Sequence, residues 1–195
     1  MYRKQHTKGL VIYHRDEGSD SRRIGLLTQE FGLLSVKVQA ARQVGSKMRP
    51  GVQDFTAGEF SLIHGKSGWR LAGVRAHKNF FSIYGPTSIK TRVMANVLNL
   101  VRKLVGEGER DQIIFETVDN FLEFMVLAKE EEVSLLECLI LLRVLHHLGY
   151  MQAEPELSLP LDSSVIDPVF FEQLAPRRVR LTKLINESLK ATQLT

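Results

Sequence analysis

The spacing of hydrophobic residues changes from a strand-like to a helix-like period about two fifths of the way along this chain. Residues 9–76 contain five short runs rich in Val, Ile, Leu and aromatic residues, each bounded by turn residues. The runs are GLVIYHR, RRIGLLT, LLSVKVQAA, EFSLIHG and WRLAGVRA. After Pro86 the apolar residues recur at helical spacing instead. The sequence therefore predicts an α+β protein, with a five-stranded β-domain over residues 1–83 and an α-helical domain over residues 84–195.

Two glycine-containing stretches punctuate the strand-like half. DEGSD at residues 16–20 and GKSG at residues 65–68 carry the residue types that close tight turns. The second stretch is not a phosphate-binding loop, because a Walker motif needs four residues between its glycines, followed by Gly-Lys and Ser or Thr. We expect both stretches to be hairpin turns, and an ATPase is not supported.

Helical periodicity accounts for most of the second half. It predicts helices over residues 87–105, 111–129, 134–149, 168–175 and 177–192, with a loop between the third and the fourth. Ser134 and Glu137 have the spacing of a capping box, and Gly149 suits a left-handed C-terminal cap. The three glutamates at 130–132 are interpreted as a solvated turn. The third helix is apolar nearly all round, which indicates burial among other helices.

Five antiparallel strands in fewer than 80 residues fit few closed architectures. An OB-type β-barrel is favoured, because its open face and loops commonly bind single-stranded nucleic acid, and an SH3-like barrel is the alternative. Charge supports a polyanion partner: residues 1–83 hold 14 Lys and Arg against 6 Asp and Glu, whereas residues 84–195 hold 12 against 16.

Candidate nucleic-acid contacts follow from this charge. The segment LLSVKVQAARQVGSKMRPG, residues 33–51, leaves a strand and enters a basic, glycine-containing loop whose backbone can approach phosphates. The predicted DNA-binding residues are Lys37, Arg42, Lys47 and Arg49, with Lys8, Arg15, Arg22 and Arg23 from neighbouring strands. The alternative is that strand cations only prevent edge aggregation. Of the aromatic residues Tyr13, Phe31, Phe55, Phe60 and Trp69, most are expected inside the barrel, which leaves mainly phosphate contacts.

Several chemistries find no support. Cys138 is the single cysteine, so an internal disulfide and a four-thiolate zinc site are excluded, and its apolar neighbours predict burial. No nucleophile elbow or metal-ligand spacing is visible, and we expect no enzyme activity, no cofactor, no metal and no small-molecule substrate. Apolar runs are too short to span a membrane, and no signal-peptide core is visible, so a cytoplasmic location is expected.

The strand-like half resembles the N-terminal domain of the RecO family of bacterial recombination-mediator proteins. The resemblance rests on the ordered spacing of residues 9–12, Thr28, Gly32, Leu33, Ser35, residues 40–42, Ser46, Pro50, Phe55, Gly65 and Leu71. ECLILLRVLHHLGYM is similar to a helical segment of the family. The chain departs from many relatives after that segment, because MQAEPELSLPLDSS contains none of the Cys-x-x-Cys pairs that bind zinc in them.

The resemblance implies a role in DNA repair and homologous recombination. Members bind single- and double-stranded DNA, anneal strands, and with RecR promote RecA loading on DNA covered by single-strand-binding protein. It also implies association with the nucleoid, and docking of the acidic tail of single-strand-binding protein on the helical domain. Candidate anchors for that tail are Arg143, Arg177, Arg178 and Arg180. Two alternatives remain: an RNA or nucleic-acid chaperone, and an adaptor that binds only proteins.

Overall fold

The computed structural model describes residues 3–39, 41, 46, 48–152, 157–163 and 165–192. The chain forms two compact units. The first comprises Met1–Pro86 with Val105–Phe115, and the second comprises Thr87–Leu104 with Glu116–Thr195. The first unit thus includes an eleven-residue segment from the part of the sequence that was assigned to the helical domain.

The first unit is a closed five-stranded barrel. Its strands are β1 (Lys4–Glu17), β2 (Ser21–Thr28), β3 (Gly32–Val38), β4 (Thr56–Gly65) and β5 (Gly68–Asn79). The strand order around the barrel is β1-β2-β3-β5-β4. All pairings are antiparallel except β3 with β5, which is parallel and two residue pairs long. This closed sheet, followed by helices, confirms the prediction of an α+β fold with an OB-type barrel.

Alternation of inward and outward side chains builds the barrel core. Ile24 and Leu26 of β2 face Val36 and Leu34 of β3, and all four are buried. Among the five aromatic residues expected inside, only Phe60 is fully buried. Tyr13, Phe31, Phe55 and Trp69 are half-buried, and the rings of Phe31 and Trp69 pack against the barrel core. Partly exposed rings are therefore available on this unit.

Glycines shape the ends of the strands. Gly18 and Gly68 adopt φ values of 67° and 87° in the β1–β2 and β4–β5 connections, which confirms both predicted hairpin turns. Gly32 has φ 67° and a second constraint, because a Cβ there would lie 1.8 Å from the carbonyl oxygen of Glu109. The Gly108 N–H also donates to the Leu33 carbonyl at 2.8 Å. Residues 105–115 are thus held against the barrel.

Short helical turns flank β4 and β5. A 3₁₀ turn at Pro50–Val52 precedes β4, and α1 (Phe80–Tyr84) follows β5. The Asn79 side chain accepts a hydrogen bond from the Ser82 N–H at 3.0 Å and so caps α1.

Helices make up the second unit. They are α2 (Ile89–Leu104), α3 (Gln112–Leu127), α4 (Glu130–His147), α5 (Ser158–Asp162), α6 (Val169–Leu174) and α7 (Arg178–Ala191). The first four residues of α3 are counted with the barrel unit. The short helix α5 lies in the segment predicted as a loop. No helix in the described part of the chain is both long enough and apolar enough to span a membrane.

The long helix α4 is buried nearly all round, as predicted. It begins at Glu130, because the Glu132 carboxylate accepts a hydrogen bond from the Lys129 N–H at 2.7 Å. The three glutamates therefore form its first turn, where the helix dipole favours negative charge. The predicted cap at Ser134 was wrong, and the three glutamates are largely exposed, as predicted, but lie in the helix and not in a turn before it.

The end of α4 agrees with the sequence. Gly149 has φ 78°, and hydrogen bonds from Gly149 N–H to His146 O and from Tyr150 N–H to Leu145 O complete a Schellman motif. Cys138 is buried in this helix, as predicted, and burial raises the pKa of its thiol to about 11. The thiol is consequently protonated near neutral pH and packs as a small apolar group.

Candidate nucleic-acid interface

Four basic side chains form a line across the outer face of the barrel. Arg15 on β1 pairs with Arg23 on β2, Arg23 pairs with Lys37 on β3, and Lys37 pairs with Arg70 on β5. Directly paired residues project from the same face of a sheet, so these cations lie side by side on four adjacent strands. We call this line the basic row. Like charges placed opposite each other are unfavourable for the sheet itself, which points to a role beyond folding.

One carboxylate partly compensates the basic row. Nη2 of Arg23 donates to the two carboxylate oxygens of Glu17 at 3.1 and 3.4 Å, and Nζ of Lys37 lies 3.6 Å from the same group. The hydrogen bond from Arg23 is the main reason that the pKa of Glu17 is lowered. Glu17 is therefore ionised near neutral pH, and the row with Glu17 carries a net charge of about +3.

A basic cleft of about 390 Å³ lies beside the row. We define it by its lining residues, Lys37, Gln39, Gly65, Lys66, Ser67, Gly68 and Arg70. Lys66 comes from the β4–β5 turn, and none of the described residues that line the cleft is acidic. Neither Lys66 nor Arg70 has an acidic partner within 4 Å among the described residues. Three cationic side chains, two of which have no acidic partner among the described residues, suit the binding of a phosphate group.

A second cleft of about 370 Å³ adjoins the first through Gly68. We call it the aromatic cleft, and it is lined by Arg23, Leu33, Leu34, Ser35, Gly68, Trp69, Glu107 and Gly108. The Trp69 ring lies 4.7 Å from that of His64 and 5.3 Å from that of Phe31, measured between centroids. The Trp69 ring in the wall of this cleft thus packs against two other rings and against the barrel core.

The predicted DNA-binding residues divide into several groups. Arg15, Arg23 and Lys37 belong to the basic row. Arg22 projects from the other side of β2, opposite buried Val38, and its Nε donates to Asp16 at 3.0 Å. Lys8 lies opposite Glu59 on β4, away from the row.

The loop after β3 supplies less to this surface than the sequence suggested. β3 ends at Val38, and Arg49 is exposed immediately before the 3₁₀ turn. Arg42 and Lys47 lie outside the described residues. Sequence reasoning missed Arg70 and Lys66, which stand in or beside predicted strands with nothing in the sequence to align them with Lys37.

The predicted anchor Arg143 has a different placement from that expected. It is only 3% exposed, and its Nε and Nη2 donate to the carbonyls of Pro160 and Val165, each at 2.8 Å. Burial lowers the pKa of this guanidinium to about 10. Because it ties the segment after α4 to that helix, Arg143 is not displayed to a partner, and this part of the prediction is corrected.

The arginines around the start of α7 remain predictions as partner contacts. Arg178 and Arg180 are exposed and Arg177 is half-buried. No cluster of three or more His, Cys, Asp or Glu that could hold a metal ion occurs among the residues whose structure is described.

A closed five-stranded barrel with a basic outer face, followed in the chain by helices, defines an OB-type protein of the α+β class. Residues 1–80 match the family model described as recombination protein O N terminal. The first 80 of the 195 residues are therefore similar to the N-terminal domain of the RecO family.

Curated proteins with the RecO name are similar to a longer part of the chain. The chain is 28% identical over 162 residues to the DNA repair protein RecO of Heliobacterium modesticaldum, an alignment that covers 83% of this chain and 55% of that protein. It is 25% identical to the DNA repair protein RecO of Alkaliphilus metalliredigens, with 66% and 51% covered. It is 26% identical to that of Desulfitobacterium hafniense, with 74% and 52% covered. The chain spans about half the length of these relatives.

Proposed function

We propose that this protein acts in DNA repair and recombination by binding the sugar-phosphate backbone of single- and double-stranded DNA along the basic row. The observation that carries the proposal is the alignment of Arg15, Arg23, Lys37 and Arg70 on four adjacent strands. Lys66 adds a cation beside the row. The curated relatives, which are DNA repair proteins by name, support the same conclusion.

The mechanism is electrostatic and needs no bond-making chemistry. Cations that neutralise phosphates release condensed counterions, so binding is only weakly dependent on sequence and strongly dependent on salt. A protein that neutralises phosphates on two strands lowers their mutual repulsion and raises their effective concentration. Annealing of complementary strands is then accelerated without ATP.

The finer part of the proposal concerns partners. We infer that the protein promotes RecA loading with RecR on DNA covered by single-strand-binding protein, and that the helical unit carries the protein contacts. Arg178 and Arg180 flank Val179, whose side chain is 87% exposed. Cations beside an exposed apolar side chain suit the acidic, apolar-ended tail of single-strand-binding protein.

The first test is the affinity for a fluorescent single-stranded DNA oligonucleotide across a salt series, together with an annealing assay. Three net charges predict that log K falls with log salt with a slope of about −2, since each phosphate on a single strand contributes roughly −0.7. Tighter binding to RNA of the same sequence would favour the nucleic-acid chaperone. Absence of salt-dependent DNA binding would leave a protein-only adaptor.

A further inference from the structure

We propose that Lys66 is a modification site, at which the amine is acylated directly by small acyl phosphates that the basic cleft concentrates beside it. An acyl phosphate is the mixed anhydride of a carboxylic acid and phosphate, so it brings an anionic group and a reactive carbonyl into the cleft together. The modification itself does not involve DNA. Its consequence, the loss of one positive charge beside the basic row, rests on the function proposed above.

The turn that carries Lys66 is short. Gly65 at the end of β4 is paired with Gly68 at the start of β5, so Lys66 and Ser67 are the two residues of a hairpin turn. Both residues line the basic cleft, and both are exposed. The hairpin therefore keeps the backbone of Lys66 in the cleft wall, while its amine remains accessible to a reagent in solution.

The charges around Lys66 favour an anionic reagent. Lys37 and Arg70 are paired across β3 and β5 and line the same cleft. None of the described residues that line this cleft is acidic. A cleft lined by charges of one sign raises the local concentration of a small ion of opposite charge by roughly 10- to 1,000-fold. The cleft volume of about 390 Å³ lies within the usual range for small-molecule sites.

Lys183 on α7 shows that exposure alone does not create this environment. Its side chain is 78% exposed, but its Nζ lies 3.8 Å from the carboxylate of Glu187. A neighbouring carboxylate repels an acyl phosphate, whereas the two other cations of the basic cleft attract it. Lys66 and Lys183 are thus two accessible amines that differ in the sign of the charge beside them.

The reaction is the transfer of an acyl group from phosphate to nitrogen. The amine of Lys66, after giving one proton to water, attacks the carbonyl carbon with its lone pair and forms the C–N bond. The C–O bond to phosphate breaks, and the phosphate leaves with the electrons of that bond. The attacking nitrogen then gives one proton to the departing phosphate and becomes a neutral amide. Lys37 and Arg70 stabilise the negative charge of the leaving phosphate.

Acylation changes the charge of the proposed DNA-binding face. The amide of Lys66 carries no positive charge and cannot form an ion pair with a phosphate. Loss of one phosphate contact on a single strand makes the slope of log K against log salt shallower by roughly 0.7. Bound DNA should in turn protect Lys66 from the reagent, because both require the same cleft.

The test compares two acetylating reagents on the whole protein. Acetyl phosphate is anionic, whereas the N-hydroxysuccinimide ester of acetic acid is uncharged. Mass spectrometry of proteolytic peptides gives the initial rates of acetylation at Lys66 and Lys183. We expect the ratio of the Lys66 rate to the Lys183 rate to be roughly tenfold higher with acetyl phosphate than with the ester. In about 1 M salt, where charges are screened over a few ångströms, the two ratios should become nearly equal.

A variant tests the role of the neighbouring cations. Arg70→Ala should lower the ratio obtained with acetyl phosphate toward that obtained with the ester. Arg75→Ala is the matched control, because Arg75 is exposed on the same strand, lies opposite Glu59 and does not line the cleft. An unchanged rate with the ester shows that Lys66 remains accessible in both variants. Equal ratios for the two reagents at low salt, or a ratio that Arg70→Ala leaves unchanged, would overturn the acylation site.

DNA binding by Lys66→Gln, which removes the same charge, separates this site from the proposed function. Selective acetylation of Lys66 together with a shallower salt slope in Lys66→Gln supports both the site and its consequence. Selective acetylation with an unchanged slope would retain the site and overturn the contact between Lys66 and DNA. A shallower slope without selective acetylation would overturn the site and retain DNA binding.

Discussion

Removal of two cations from the basic row is the most direct test of the proposed DNA-binding surface. Lys37 and Arg70 are opposite each other on β3 and β5, and both line the basic cleft. The double variant Lys37→Ala with Arg70→Ala should weaken binding to a single-stranded oligonucleotide and make that binding less sensitive to salt. The matched control is Lys8→Ala with Arg75→Ala, which removes the same charge from positions that both lie opposite Glu59.

The expected magnitude follows from the number of phosphates that the double variant no longer neutralises. Two phosphates at roughly 0.7 each reduce the slope of log K against log salt by about 1.4. When the salt concentration rises from about 50 to about 200 mM, the variant should therefore show a decrease in affinity about sevenfold smaller than that of the unmodified protein. The control pair should leave the slope nearly unchanged.

Fluorescence anisotropy with a labelled oligonucleotide measures both slopes, and thermal unfolding shows whether either pair alters the fold. An unchanged slope in the first pair would refute the assignment of phosphate contacts to the basic row. An equal reduction in both pairs would mean that only the net charge of the barrel matters.

Three further predictions test other features. Glu17→Gln should steepen the slope of log K against log salt by about 0.7, because a competing carboxylate is removed. Folding lowers the pKa of Glu17 below 4.5, so its contribution to stability is present above that pH and is lost as the pH falls through the lower folded value. The melting temperatures of the variant and the unmodified protein should therefore converge in acid. Gly32→Ala should lower the free energy of unfolding by more than about 3 kcal/mol, because the new Cβ adds a backbone clash to the cost of positive φ. Gly18→Ala has open space around the new Cβ and should lower it by about 1 kcal/mol. Denaturant titrations measure both values. Arg143→Leu should destabilise the protein by about 2–4 kcal/mol, because two carbonyls lose their donors, and an unchanged unfolding midpoint would contradict this.

The order and type of the long elements could be predicted because hydrophobic period and turn residues report on them directly. The boundaries could not always be predicted. β1 begins at Lys4, five residues before the first apolar run, because KQHTK pairs with β4 through its backbone and buries only Thr7 among its side chains. α4 begins before Ser134 because Glu132 reaches back to the backbone of Lys129. Neither interaction leaves a hydrophobic pattern in the sequence.

The candidate site was partly predictable for a related reason. Arg15, Arg23 and Lys37 were found because charged residues in apolar strand runs must point outward. Arg70 has the same signal, but its neighbour is Lys37, 33 residues earlier, and the register of a parallel pairing between distant strands cannot be read from one sequence. Arg143 was misjudged because its partners are backbone carbonyls, which carry no residue-type signature.

Within the described part of the barrel, the parallel contact between β3 and β5 is the shortest strand pairing, and it consists of the pairs Val36–Trp69 and Lys37–Arg70. A polyanion bound at Lys37 and Arg70 would contact both strands of this pairing and hold β3 and β5 together. Ligand binding would then stabilise the folded barrel by about 2.7 kcal/mol at a ligand concentration roughly one hundred times the Kd. Amide hydrogen exchange along β3 and β5 would slow first when DNA is added, and the rest of the barrel would follow only through global unfolding.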